Sequence, residues 1–404
     1  MNKPDRSIPR AKSAAPAERA KPCASPFQSI ALLLQGGGAL GAYQAGVYEA
    51  LLECGVEPTW IAGISIGAIN SAIIAGNPRE RRVEKLREFW EGISTTGAWS
   101  LLTAGLPGLD AIRGWTDQLA AGGAMMQGVP GFFTPRLPPP PLQPRGTTAA
   151  TSWYDTAALK STLERLVDFY RINAKTMRFS VGAVNVRTGN FTYFDNARQT
   201  IRVEHVMASG ALPPAFPAVK VGDDDYWDGG MVSNTPLDWV LSLRRDLDTL
   251  IFQVDLWSAR GELPGDLADV ATRMKDIQYS SRTRVAVDAF RRQQKLRTAL
   301  NTLLAKAPPD LLDSPEAKLL ARETCPAAYN IALLIYRSAA YEGQSKDYAF
   351  SRQSMEEHWQ AGRSDAETTL SHPEVLRLPA KPSDVVVFDY LRPDDERGGR
   401  KVED

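Results

Sequence analysis

Between Ile30 and Ala75 the chain repeats one pattern twice: a short apolar run, a glycine-bounded turn and a helix-like stretch. The first copy lies in LLLQGGGALGAYQAGVYEALLECG, Leu32 to Gly55, and the second in TWIAGISIGAINSAIIAG. Nothing else in the sequence constrains the fold as strongly. Strands that pass through tight turns into helices return to a sheet in parallel, so the alternation predicts an α/β fold with a mainly parallel central sheet covered by helices. The expected strands are near Ile30–Leu34 and Trp60–Gly63, and the expected helices near Ala39–Cys54 and Ala68–Ala75.

The first turn carries G-x-G-x-x-G at Gly36, Gly38 and Gly41, the pattern of a dinucleotide-binding loop. That reading calls for an acidic residue closing the second strand, to hold a ribose. The second turn instead carries G-x-S-x-G at Gly63, Ser65 and Gly67. A serine between glycines, where an apolar strand meets an apolar helix, fits a strained turn that projects Oγ as a nucleophile. The plainer alternative is a serine that merely caps the helix.

A serine hydroxyl needs a base to take its proton. The chain has three histidines. His205 lies inside an apparent helix, His358 in SMEEHWQAG, which reads as a helix surface, and His372 directly before Pro373. None is marked by a catalytic turn, and all three are expected to be structural or solvent-facing. Asp228 is better placed. In DDDYWDGGMVSNTPL it follows Tyr226 and Trp227 and precedes Gly229 and Gly230, which permit a turn that aims one carboxylate into a cleft. The aromatic rings would desolvate it and raise its pKa towards the range of a general base. Asp223, Asp224 and Asp225 lack the spacing of a calcium loop and read as a solvated turn.

In this order, GGGALG, GISIG and DGG, the sequence resembles the patatin-like phospholipases over roughly Ile30 to Trp257. The resemblance implies a three-layer α/β sandwich and a serine lipid acyl hydrolase with a Ser–Asp dyad. Ser65 would be the nucleophile and Asp228 the base. The amides of the glycine loop, Gly36 to Gly38 with Gly41, and Gly37 and Gly38 foremost, would form the oxyanion hole. NTP at 234–236 and the Ser-Gly-Ala stretch at 209–211 also look like the family's core. The implied substrate is a lipid or acyl ester, and no metal or cofactor is called for. A dinucleotide-binding protein, or a lipid-surface scaffold with idle motifs, are the competing readings.

The rest of the chain divides by composition. Residues 1–27 hold six basic residues against Asp5 and Glu18 and read as a disordered tail. Residues 28–257 form the expected catalytic domain. Within it, 97–150 is a Pro- and Gly-rich insertion whose apolar residues (Trp99, Leu101, Trp115, Met125, Met126, Phe132, Phe133) fit either a lid or a packed insertion. Residues 258–404 read as a mostly helical extension, and with YEGQSKDYAFSRQSMEEHWQAG they resemble the extension found in one bacterial subgroup of the patatin-like proteins. One of its helices, near 281–306, is basic, with Val285, Ala289, Leu296, Leu300 and Leu303 on an apolar face; it reads as a helix packed by that face with its basic side solvated, or as one lying on an acidic membrane surface or partner, and a late strand, NIALLIYR, follows. Formal net charge is zero, which argues against nucleic acid as a partner. The scattered Cys23, Cys54 and Cys325 suit a reducing compartment. No secretory signal or spanning segment is visible, so the expected location is cytoplasmic, with at most peripheral contact at a membrane, lipid-droplet or granule surface. Head-group preference and oligomeric state are not encoded in any motif.

Overall fold

The computed structural model describes residues 25–94, 122–243, 246–281, 283–324, 327–338, 342–343, 345–380 and 385–391. The repeated units sit at the centre of the sheet. β1 (Ser29–Leu34) leads through a 3-10 turn, Gly38–Gly41, into α1 (Ala42–Glu53), and β2 (Trp60–Gly63) leads into α2 (Ile66–Ala75). β1 and β2 pair in parallel with Leu34 opposite Gly63, so both turns leave the same end of the sheet. Every residue of α2 is buried, which explains why its sequence shows no polar face. Helix α3 (Arg82–Gly92) packs beside it, burying Leu86, Phe89 and Trp90.

A short hairpin, β3 (Thr134–Pro135) with β4 (Tyr154–Asp155), and α4 (Ala157–Leu166) lead back to the sheet. There follow β5 (Arg178–Asn185), β6 (Phe191–Asp195), α5 (Val203–Ser209), β7 (Val219–Val221) and β8 (Asp224–Asp228). Helix α6 (Leu237–Leu243) precedes β9 (Thr249–Asp255). With β10 (Tyr329–Ile335) and β11 (Val385–Phe388), the nine-stranded sheet runs β11-β10-β9-β1-β2-β5-β8-β7, with β6 also on β5. From β11 to β5 the pairing is parallel, and β6, β7 and β8 add antiparallel contacts. Asp224 and Asp225 therefore belong to a hairpin strand and not to the solvated turn expected of them, because alternate residues Tyr226 and Asp228 are buried in the same strand.

One detail of register sets the site. Along β5, β2 pairs with Arg178 to Val181 and β8 with Ala183 to Asn185, while β6 pairs with Ser180 to Val184. Since β6 shares residues with both, it occupies one edge of β5, and β2 and β8 follow one another along the other. The end of β2 and the end of β8 thus meet head-on, which brings Asp228 to the turn after Gly63.

The segment beyond residue 257 holds the helices expected of it, including α7 (Leu267–Tyr279), α8 (Thr283–Leu304) and α9 (Arg352–Leu370). It also supplies β10 (Tyr329–Ile335) and β11 (Val385–Phe388) to the central sheet, so a division at 257 cuts through one continuous sheet. Helix α9 lies against α1 so closely that a methyl group at Gly46 or Gly362 would collide with the backbone of the other helix. Trp359 Nε1 donates to Glu49 at 2.7 Å across this seam.

Helix α8 buries a different stripe from the one expected. Val287, Phe290, Gln294 and Arg297 face inward, and Phe290 meets Tyr329 edge-on at 4.9 Å. Val285, Leu296 and Leu303 are exposed instead, at 69%, 72% and 66%. Packing against the sheet, not the count of apolar residues per face, decides the orientation. Of the insertion, residues 122–150 are described. Phe132 and Phe133 are buried, Met125 and Met126 exposed, and Trp99, Leu101 and Trp115 lie outside the described residues. The tail 1–24, Cys23, Cys325, Arg282 and the residues from 392 onward also lie outside them. No helix among the described residues is long and apolar enough to cross a membrane.

Candidate active site

Ser65 stands between β2 and α2 with φ 55° and ψ −123°, in the left-handed half of backbone space. A non-glycine residue there carries strain of about 1–3 kcal/mol, held only because its surroundings fix it. A methyl group on Gly63 would strike the backbone of Gly67, and one on Gly67 would strike the backbone of Leu34. The two glycines therefore let helix and strand approach closely enough to make the turn. Ser65 occupies the N-cap position, yet its side chain makes no capping hydrogen bond. The alternative reading of a capping serine fails on that point. Its amide donates to Ser209 Oγ at 3.0 Å, and Ser209 donates on to Gly182 O at 2.7 Å.

Asp228 is 2% exposed. Burial pushes its carboxyl up to about 7, against the opposing pull of the Ser65 hydroxyl and of the Gly230 amide, which donates to Asp228 Oδ1 at 2.7 Å. The ordering of causes matters. Desolvation dominates, and the Ser65 hydroxyl favours the charged form. Gly229 lets β8 end against β5, since a methyl group there would press on Gly182 O at 2.6 Å.

The glycine loop is pinned from behind. Gly36 O accepts from Trp257 Nε1 at 2.9 Å and from Asn234 Nδ2 at 3.1 Å, and the Gly36 amide donates to Asn234 O at 3.3 Å. Buried Gln35 accepts from the Leu256 and Trp257 amides at 2.6 and 3.0 Å, fixing Trp257 in turn. Among the described residues, the amides of Gly37 and Gly38 make no such bond. Gly38 has φ 57°, and a methyl group there would run into the backbone carbonyl of Asp347.

Ser65, Asp228, Gly36, Gly37, Gly38 and Gly230 line one cavity of about 700 Å³. Gly41, Gly63, Gly67 and Gly229 stand behind it as packing glycines. No histidine lines it. His205 Nδ1 accepts from the Arg202 amide at 2.9 Å, His358 is buried against Glu342 at 2.9 Å rather than on a helix surface, and His372 stacks on Tyr390. The remaining walls carry no motif in the sequence. Phe132 and Phe133 of the insertion meet Phe216 at 6.0 and 5.3 Å and Phe350 at 5.8 and 6.3 Å, closing an apolar end with Ile69 and Leu212. Tyr279, Asp347 and Tyr348 form a polar side. Burial pushes Tyr279 and Tyr348 up, reinforced by the carboxylates of Asp347 and Asp228, so both hydroxyls stay protonated.

Two family profiles match the chain: one described as patatin-like phospholipase over residues 32–241, the other as patatin phospholipase over residues 277–382. Among curated proteins, patatin-like phospholipase domain-containing protein 7 of Rattus norvegicus is 46% identical over 59 residues, 15% of this chain and 4% of that protein. Its Mus musculus counterpart is 53% identical over 47 residues, 12% of this chain and again 4% of the relative. The match thus spans about one twenty-fifth of the length of those relatives. Two solved structures share fainter likeness. VipD from Legionella pneumophila is 14% identical, covering 86% of this chain and 67% of its own, with TM-score 0.36. Human GIVD cytosolic phospholipase A2 is 11% identical, covering 86% and 60%, with TM-score 0.39.

Proposed function

The chain belongs to the patatin-like phospholipase family, and on that premise we propose that it is a serine lipid acyl hydrolase working through a Ser65–Asp228 dyad. The observation that carries the reading is the strained Ser65 in one cavity with a buried carboxyl, Asp228, which burial raises towards the range of a general base. Asp228 takes the Ser65 proton as Oγ attacks an ester carbonyl. The carbonyl oxygen gains a negative charge, and the amides of Gly37 and Gly38 donate to it. As the tetrahedral species collapses, the alcohol leaves with the proton held by Asp228 and an acyl-enzyme forms. Water then gives a proton to Asp228 as it attacks the acyl carbon; the bond from that carbon to Ser65 Oγ breaks, Oγ takes the proton back from Asp228, and the carboxylic acid is released. The apolar end of the cavity suits the acyl chain, so a lipid or other acyl ester is the substrate class. The cytoplasm, with peripheral contact at a lipid surface, is the proposed place of action.

Fluorophosphonate labelling followed by mass spectrometry tests the assignment. The label is expected on Ser65, with turnover of short-chain esters abolished in Ser65→Ala. A Ser65→Ala protein that keeps full esterase activity would overturn it. Stabilisation by a nicotinamide or flavin nucleotide with no labelling of Ser65 would favour the dinucleotide reading instead.

A further inference from the structure

The turn Lys346–Tyr348, which presses on the glycine loop, is held by two crossed ion pairs. Lys275 and Asp276 are neighbours near the end of α7, and Lys346 and Asp347 are neighbours in the turn. Lys275 Nζ reaches Asp347 Oδ1 at 2.6 Å and Oδ2 at 2.9 Å. Lys346 Nζ reaches Asp276 Oδ1 at 2.7 Å and Ser338 Oγ at 2.7 Å. Lys346 and Asp347 are both buried. The two pairs differ in one respect: Asp347 lines the cavity that holds Ser65 and Asp228, while its backbone carbonyl abuts Gly38.

That placement creates an electrostatic problem for acyl transfer. The reaction develops a negative charge at the glycine loop, yet a second carboxylate stands in the same cavity wall, with its Cβ against Gly38. In a partly dehydrated site an uncompensated charge there opposes the oxyanion. We propose that Lys275 is a positioning residue for the active site, cancelling the Asp347 charge so that the oxyanion can form beside it. The proposal rests on the reading of Ser65 as the nucleophile. It gives residues 277–382 and the helix before them a part in the chemistry rather than in support alone.

A packing latch and a charge compensator behave differently under substitution. If the pair only holds the turn in place, removing either partner does equal harm. If Lys275 compensates charge, Lys275→Met strands a carboxyl that burial already pushes above the usual range, so the harm appears at alkaline pH, where that carboxyl ionises, whereas Asp347→Asn leaves a lysine that is partly solvent-exposed and harmless to an oxyanion. The full chain is labelled with a fluorophosphonate, and kcat and KM are measured on a short-chain p-nitrophenyl ester at about pH 9. Lys275→Met is expected to slow labelling and lower kcat by about tenfold to hundredfold, short of the about 10²–10³ lost with an oxyanion donor, with KM within about threefold. Asp347→Asn should cost no more than about threefold in kcat, and adding it to Lys275→Met should restore most of the loss. Wild-type kcat in Lys275→Met, or equal losses in both single variants without rescue, overturns the proposal. Should Lys275→Met fail to fold, Asp347→Asn and Lys275→Met/Asp347→Asn carry the test: similar activity is expected, and a further tenfold fall in the double variant overturns it. A wild-type protein unlabelled at Ser65 defeats the nucleophile assignment and this proposal together; labelled wild type with an unaffected Lys275→Met defeats this proposal alone.

Discussion

Ser65, Asp228 and the glycine loop are placed by backbone: a left-handed φ, two strand ends meeting along β5, and glycines that admit close approach. Tyr279, Asp347, Tyr348 and Phe350 reach the same cavity from residues 277–382 as side chains on a helix end and a short turn, seated by ion pairs and ring contacts. The first arrangement tolerates almost no substitution, because a clash with backbone has nowhere to relax. The second leaves room to change shape and polarity without disturbing the turn that carries Ser65. On the proposed reading, the nucleophile, the base and the oxyanion donors all come from one segment, while the walls of the cavity are open to variation in both the insertion and the C-terminal segment.

The sharpest way to break that division is at Asp228. Asp228→Asn is expected to lower kcat by about 10²–10⁴, the usual worth of a positioned base. In the wild type, kcat/KM should rise with pH through an apparent pKa near 7, because the base works only when ionised. A rise centred near 4 would show a carboxylate that is not buried. Stability must move the opposite way. The folded carboxyl holds its proton between about 4 and 7 where the unfolded one has lost it, so this group's contribution falls as pH rises through that window and stays low above it. Asp228→Asn should therefore be more stable than wild type at pH 8, by at least about 1 kcal/mol in urea unfolding, and show little gain at pH 4.

A smaller effect separates the two segments at the apolar end. Phe216 comes from the first segment and Phe350 from the second, and both face Phe132. If the C-terminal wall holds the acyl chain, Phe216→Ala and Phe350→Ala should each raise KM for medium-chain esters by about tenfold, with smaller changes in kcat. That corresponds to part of the about 1.5–3 kcal/mol released on burying a phenyl ring. A KM raised by Phe216→Ala alone, in equally stable variants, would confine substrate binding to residues 32–241.

The same contrast explains what the sequence disclosed. The alternation of strand and helix was legible because each unit is local, and the three motifs because tight turns admit few residue types. The burial of Asp228 has a cause that no local pattern carries, the pairing of β8 on β5 just beyond the end of β2. Asn234, by contrast, stood out only through a resemblance, and Trp257, Tyr279 and Asp347 not at all, since a side chain reaching in from a distant helix or turn has no required spacing. The strand Tyr329–Ile335 was visible as an apolar run, but its seat beside β9 was not, because pairing partners are set by the whole sheet. The buried face of α8 was misjudged for a related reason: Gln294 and Arg297 lie on its inner side.

The smallest prediction concerns the strain at Ser65 itself. Ser65→Ala and Ser65→Gly remove the same hydroxyl, but only glycine adopts φ 55° without a Cβ penalty. Relief of about 1–3 kcal/mol of strain is offset by the greater freedom of glycine in the unfolded chain, about 0.4–1 kcal/mol. Ser65→Gly should then be the more stable of the two inactive variants, by about 1 kcal/mol. In a chain of 404 residues that is a rise in Tm of only about 1–2 °C, so it is best read as a shift in urea midpoint. Gly38→Ala makes the opposing case, because there the positive φ coincides with the carbonyl of Asp347 and the substitution must destabilise. Equal stability of Ser65→Gly and Ser65→Ala would mean that the turn is held without strain, and that the backbone does less than proposed to keep the hydroxyl exposed.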